Sequence, residues 1–167
     1  MRPGRILRLL LRAPVAPYSV RAGWLLGHHF LLLRHRGRRS HRLYSTVLEV
    51  VAWRPAAHEA VVVSGFGHGS QWYRNLLAGQ GVEVRIGRLR FAPEARPLDG
   101  NEAAGVLADY ERRNRLVAPL VRAVLSKLAG VGYDGSDAAR RRVVQSLPLV
   151  ALRPRDRLDT SRYDTAT

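Results

Sequence analysis

Residues 60–91 read AVVVSGFGHGSQWYRNLLAGQGVEVRIGRLRF, and the order of elements within them decides the fold class. Residues 60–63 form a short apolar run rich in β-branched side chains, which predicts a strand. The run stops at Ser64-Gly65-Phe66-Gly67-His68-Gly69, where three glycines interrupt regular structure. Ser70 then stands at an N-cap position ahead of Gln71, Trp72, Tyr73, Asn75, Leu76 and Leu77, predicting a helix closed by Gly79 and Gly81. After it, Val82, Val84 and Ile86 alternate with Glu83 and Arg85 and meet Leu89 and Phe91 across a two-residue Gly87-Arg88 turn. That alternation predicts an antiparallel hairpin.

Working outward, residues 30–33 are an apolar run, 37–40 a polar turn, and 43–53 a stretch rich in β-branched and aromatic residues, together a hairpin with a basic tip. Residues 101–115 and 117–128 carry helical periodicity, 136–145 a short basic helix, and 147–152 a last apolar strand. From Arg153 onward the composition suggests disorder. Strands fill the middle and helices the ends, without alternating βαβ units. This order predicts an α+β domain built on a mainly antiparallel barrel with flanking helices. The expected division is a basic helical arm at 1–26, with short helices at 5–12 and 18–26, a barrel domain at 27–154 and a tail at 155–167.

A chain of 167 residues with 46% hydrophobic content can bury one core and is too short for two ordinary domains. It has no cysteine, which removes disulfides, thiolate metal sites and cysteine nucleophiles and fits a reducing cytoplasm. The formal charge of +15 selects anionic partners by sign only. Its placement is more telling. No acid precedes Glu49, while Arg34, Arg36, Arg38, Arg39 and Arg42 crowd together. No uncharged run reaches the roughly 18 to 20 apolar residues of a spanning helix.

Three constellations could carry chemistry. Arg36-Gly37-Arg38-Arg39-Ser40-His41-Arg42 offers guanidinium forks and a hydroxyl at a turn, suited to phosphate or carboxylate oxygens, or simply to a solvated basic tip. The Ser64–Gly69 loop could bring backbone close to an anionic ligand at a helix start, or serve only as a connector; it lacks the lysine of a phosphate-cradling NTPase loop. Trp72 and Asn75 share a helix face near that loop, as core or as ligand contacts. The six histidines show no metal-ligand spacing, so no metal is expected. Asp109, Glu111, Asp134 and Asp137 read as helix-surface or cap residues, and no hydrolase arrangement stands out.

Taken together, Phe30-Leu31-Leu32-Leu33, Gly37-Arg38-Arg39-Ser40, Val62-Val63-Ser64-Gly65, Gln71-Trp72-Tyr73-Arg74-Asn75-Leu76, Val82-Glu83-Val84 and the Gly87 turn resemble, in order and spacing, the nitroreductase family of deazaflavin-dependent oxidoreductases. The resemblance implies a split β-barrel of the FMN-binding type and reduced coenzyme F420 as hydride donor to quinones, nitroaromatics or similar acceptors. It implies that Arg38, Arg39 and Ser40 hold the phosphate or glutamate tail. Thr46, Val47, Leu48, Val62, Val63, Ser64 and Gly65 would line the deazaflavin groove. Gln71, Trp72, Tyr73, Arg74 and Asn75 would flank its opposite wall. His41 and Gly65 depart from the family pattern, which often has glycine and lysine near those positions.

In this reading the partner is a small-molecule electron acceptor, with the basic arm touching the inner face of the membrane and no nucleic acid involved. A rival keeps the fold and substitutes FMN. Another makes the chain a non-catalytic binder of membrane surfaces or nucleic acid.

Overall fold

The computed structural model describes residues 28–116 and 118–155; the expected arm at 1–26, the first residue of the 117–128 helix and the tail beyond 155 lie outside them. Among the described residues, seven strands run β1 (Phe30–Arg36), β2 (Leu43–Arg54), β3 (Glu59–Val63), β4 (Gly81–Ile86), β5 (Leu89–Phe91), β6 (Pro93–Pro97) and β7 (Leu149–Pro154). Four α-helices accompany them: α1 (Gln71–Leu77), α2 (Gly100–Arg113), α3 (Ala118–Ala129) and α4 (Asp137–Ser146). The sheet order is β5-β4-β1-β2-β3-β7-β6, antiparallel at every step. The sheet curls until β6 meets β4: a Cβ on Gly81 would lie 2.8 Å from Pro93 Cγ, so only glycine allows the two to touch. The result is a nearly closed barrel, as the residue pattern and the resemblance both led one to expect.

Period-two alternation divides each strand between two cores. Leu31, Leu33, Leu48, Val50, Ala60, Val62, Val84, Ile86, Val150 and Leu152 fill the barrel interior, with Trp72, Tyr73 and Leu76 of α1 packed against them. Val61, Leu149 and Ala151 point the other way and form a second core with Ala103, Val106 and Leu107 of α2, Leu125 of α3 and Val143 of α4. β3 is therefore buried on both faces, which is why it reads as an unbroken apolar run. A register shift between Val50 and Ala52 carries Val51 to the second core, joining the helices to the barrel.

Three sequence expectations need correction. β6 was not foreseen, because its two prolines and two charged residues hide a strand that pairs only along β7. Disorder does not begin at Arg153: Arg153 pairs with Glu94 in register, its Nε donates to Glu94 Oε2 at 2.8 Å, and the Arg155 amide donates to Ala92 O at 2.9 Å. Glu111 is not a surface or cap residue. It is buried between three helices, accepting from Arg122 Nε at 3.2 Å and Arg140 Nη2 at 3.1 Å. Removing one partner from a buried pair of this kind typically costs about 3–5 kcal/mol, because a desolvated charge is left behind.

A second ionic junction fastens α2 to the barrel. Asp99 caps α2 by accepting from the Asn101 and Glu102 amides, and Glu102 takes both ends of the Arg96 fork at 2.7 and 2.9 Å as well as Arg54 Nη1 at 2.9 Å. The Arg96 hydrogen bonds hold the Glu102 carboxyl down at about 2, with Arg54 adding to the effect. A depressed folded-state pKa stabilises the protein above the unfolded value and loses that stabilisation as pH falls toward the folded one. Acid titration of stability is expected to show a loss between the ordinary glutamate range and about pH 2, and Glu102→Gln to flatten it. An unchanged acid limb in that variant would contradict the assignment.

Candidate functional site

The β1–β2 hairpin tip is built by sequence-specific constraints. The Gly37 amide donates to Arg42 O at 2.9 Å and the His41 amide to Gly37 O at 2.8 Å, closing a tight loop. A Cβ on residue 37 would lie 2.3 Å from Ser40 Oγ, so any other residue there would have to turn the Ser40 hydroxyl away from its present place beside Tyr44. His41 takes φ +54°, a left-handed conformation that glycine adopts freely and that side-chain-bearing residues rarely do.

Asn75 on α1 secures this tip to the barrel. Its Oδ1 accepts from the Arg38 amide at 3.1 Å and from Arg38 Nη1 at 3.0 Å, while Arg38 Nη1 also donates to Gln71 Oε1 at 2.9 Å. With the amide oxygen so occupied, the Asn75 Nδ2 group faces His35 Nδ1 at 3.2 Å and must donate to it. Burial lowers the pKa of His35, so the ring is neutral and able to accept. His35 and Asn75 are both buried, and His35 stacks on Tyr44, whose hydroxyl lies 3.2 Å from Ser40 Oγ.

Beside this assembly lies a polar cavity of about 540 Å³. Arg38, Arg39, Ser40, Thr46, Gln71, Trp72, Arg74 and Asn75 line it, with His35, Tyr44 and Ser45, which sequence reasoning missed. Arg39 and Arg74 are exposed on its rim, and among the described residues neither forms an ion pair. The cavity therefore offers two uncompensated guanidinium groups to an anion.

A second cavity of about 500 Å³ lies between the outer barrel face and helices α2 to α4. Thr46, Val47, Leu48, Val63, Gly65 and Trp72 contribute to it from the expected set. Its other walls are largely aliphatic: Leu107 of α2, and Val121, Val124, Leu125 and Leu128 of α3 at the spacing of one helix face. That spacing was legible as amphipathic, but nothing in the sequence said which barrel face it would cover. Thr46 and Trp72 line both cavities, so the polar and apolar rooms meet at those two residues.

Three expected residues line neither cavity. Val62 is wholly inside the barrel core, Tyr73 is buried there too, with burial raising its pKa, and Ser64 is buried with its Oγ donating to Gly67 O at 2.7 Å. The glycine loop is turned inward on itself: the Gly67 amide donates to Ser64 O and the Ser70 amide to Gly67 O, while Gly65 and Phe66 face the apolar cavity. Its anion-binding reading thus moves away from the loop, and the positive charge facing a cavity comes from the hairpin tip and Arg74. Ser70 is the N-cap residue of α1, but its side chain makes no capping bond. Among the described residues, no group of three or more histidine or acidic side chains could hold a metal ion, and no helix is long and apolar enough to cross a membrane.

Residues 13–119 match the family described as F420H(2)-dependent quinone reductase. Among solved structures the chain is similar to an F420-H2 dependent reductase (16% identity, covering 75% of this chain and 95% of that one, TM-score 0.45). It is also similar to a protein of unknown function from Agrobacterium tumefaciens (15% identity, 87% and 56% covered, TM-score 0.47). A third is a pyridoxamine 5'-phosphate oxidase-related, FMN binding protein from Nostoc punctiforme (13% identity, 86% and 79% covered, TM-score 0.40). No curated protein matches the chain.

The clamp at Asn75 makes a clear prediction. Asn75→Ala strips the Arg38 amide and the His35 ring of their partner, at a cost of about 1–3 kcal/mol. Chemical denaturation should register that loss, and amide exchange at residues 38–40 should accelerate. Protection unchanged at the tip would show that it is held by other means.

Proposed function

The chain belongs to the F420H(2)-dependent quinone reductase family, and from that membership we propose that the polar cavity holds the anionic tail of coenzyme F420 while the apolar cavity receives the quinone-like acceptor. F420H2-dependent reduction of quinone-like acceptors is the family's activity, and F420 is the cofactor it implies. The observation that carries the reading is the meeting of the two cavities at Thr46 and Trp72. A cofactor whose charged tail lies in the polar room and whose ring edge reaches these two residues would meet an acceptor held in the apolar one.

The donor set suits the cofactor: two unpaired guanidinium groups, a hydroxyl at Ser40 and a fixed tip face one room, and Trp72 with Thr46 stands at the threshold of the other. When bound, reduced F420 supplies a hydride to the acceptor. Arg39 and Arg74 bind the tail by charge-assisted hydrogen bonds, and Arg38, fixed by Asn75 and Gln71, keeps the tip in place. Thr46 and Trp72 orient the ring edge, with Val47 and Leu48 beside them. The aliphatic faces of α2 and α3 exclude water from the acceptor room, and no acid–base pair is needed for the transfer itself. Nitroaromatics of similar shape are further candidate acceptors.

Titration of the purified protein with F420 beside FMN, at one salt concentration, tests this reading. We expect saturable binding to F420 in preference to FMN. Arg39→Ala should weaken F420 binding about tenfold, the loss of one charge-assisted contact, without shifting the unfolding midpoint, since Arg39 is exposed. Preference for FMN would transfer the same room to a single-phosphate flavin, and binding of neither would remove the cofactor reading.

We also propose a cytoplasmic site of action with peripheral contact at the inner membrane face through the basic residues of 1–26. What supports this is the run of arginines without any acid before Glu49. Deleting residues 2–12 should reduce flotation with anionic liposomes. Undiminished flotation would contradict a role for that segment.

A further inference from the structure

The apolar cavity has one charged corner. Glu49 is the only acid on β2 and faces the cavity beside Val47 and Val51, where aliphatic side chains make up most of the wall. Opposite it, Tyr110 of α2 donates a hydrogen bond from its hydroxyl to Glu49 Oε1. Burial raises the pKa of Tyr110, and the adjacent carboxylate raises it further, so the phenol keeps its proton at neutral pH. A tyrosine has one proton to give, and here it is directed at Glu49. Only lone pairs remain on either group, so this corner of the cavity can accept hydrogen bonds and cannot donate them.

The negative charge there is not cancelled locally. Among the described residues Glu49 forms no ion pair. Arg113 acts on Tyr110 through its charge, but its guanidinium is engaged with two backbone carbonyls, Val51 O at 2.7 Å and Asp109 O at 3.3 Å. Glu49 is exposed at the mouth of this cavity, and the aliphatic wall on one side of it strengthens its field toward a charge held in the cavity relative to one reaching it through water alone. The rest of the chain is strongly cationic, so an acid placed here opposes the long-range attraction that would otherwise draw anionic molecules in.

We propose that Glu49, held in position by Tyr110, sets the specificity of the acceptor cavity: it rejects acceptors bearing a carboxylate or sulfonate and favours neutral ones with a hydroxyl or amino donor facing it. This rests on the reading of that cavity as the acceptor room. Glu49 touches the substrate; Tyr110 acts through Glu49 and is a positioning residue.

The test uses saturating F420 and three acceptors: naphthoquinone, an aminonaphthoquinone and naphthoquinone sulfonate. kcat/KM is measured for wild type, Glu49→Gln and Tyr110→Phe. Comparing each variant's sulfonate-to-parent ratio with that of the wild type cancels the intrinsic difference in reduction potential. Glu49→Gln should raise the ratio about tenfold, equivalent to ~1.4 kcal/mol, mainly through KM, whereas Tyr110→Phe, which keeps the charge, should move it less than about twofold. The amino derivative's advantage over the parent should shrink in both variants. A ratio that Glu49→Gln leaves unmoved overturns the proposal, as does an equal change in Tyr110→Phe. F420 titration of the same preparations separates the two levels. If F420 does not bind, or the parent quinone is not reduced, the cavity assignment falls and this proposal with it. If both occur with an unmoved ratio, only the role of Glu49 falls.

Discussion

The side-chain amide of Asn75 joins the parts on which the rest depends. It is buried, and its three hydrogen bonds link a neutral histidine on β1, the backbone of the hairpin tip and the guanidinium of Arg38. Together with the bond from Arg38 to Gln71 it attaches the arginine-rich tip to α1, since Gly37 and the left-handed His41 supply the tip's shape but no attachment to the barrel. With it, a cluster of like charges is held against α1 at a fixed distance from Trp72. That clustering of charge opposes folding and is offset by the buried aliphatic core beneath it, where each fully buried side chain contributes about 1.5–3 kcal/mol.

From that clamp the functional geometry follows in order. The tip and α1 enclose the polar cavity, α1 ends the barrel interior with Tyr73 and Leu76, and Trp72 turns toward both rooms. The register shift at Val51 lets β2 serve two cores, so Thr46, Val47 and Leu48 border the cavities while Val51 anchors the helices. Polarity changes across a single strand, from Arg39 and Arg74 at one end to the aliphatic faces of α2 and α3 at the other. A cofactor that carries its own hydride chemistry requires this kind of support: orientation, dryness and complementary charge.

Much of this was legible in the chain. The hairpin across Gly87-Arg88 pairs Ile86 with Leu89 as alternation required, and β2 runs one residue beyond its expected end. Eight of the fifteen expected site residues line the polar cavity. What escaped was non-local. β6 hides its pairing behind two prolines, Glu111 looks like a helix-surface acid until α3 and α4 bring two arginines to it, and His35 sits unremarked between arginines although its inward register follows from Leu31 and Leu33. Val62, Ser64 and Tyr73, which the resemblance placed at the cofactor, line neither cavity, and the barrel uses them for packing or turn closure.

The most direct measurement is a crystal structure of the protein with F420 bound. The account expects the tail's anionic groups within hydrogen-bonding distance of Arg39 and Ser40, the ring edge against Thr46 and Trp72, and the Asn75–Arg38 bonds intact. A tail bound away from the hairpin tip, or a tip released from Asn75 on binding, would contradict it.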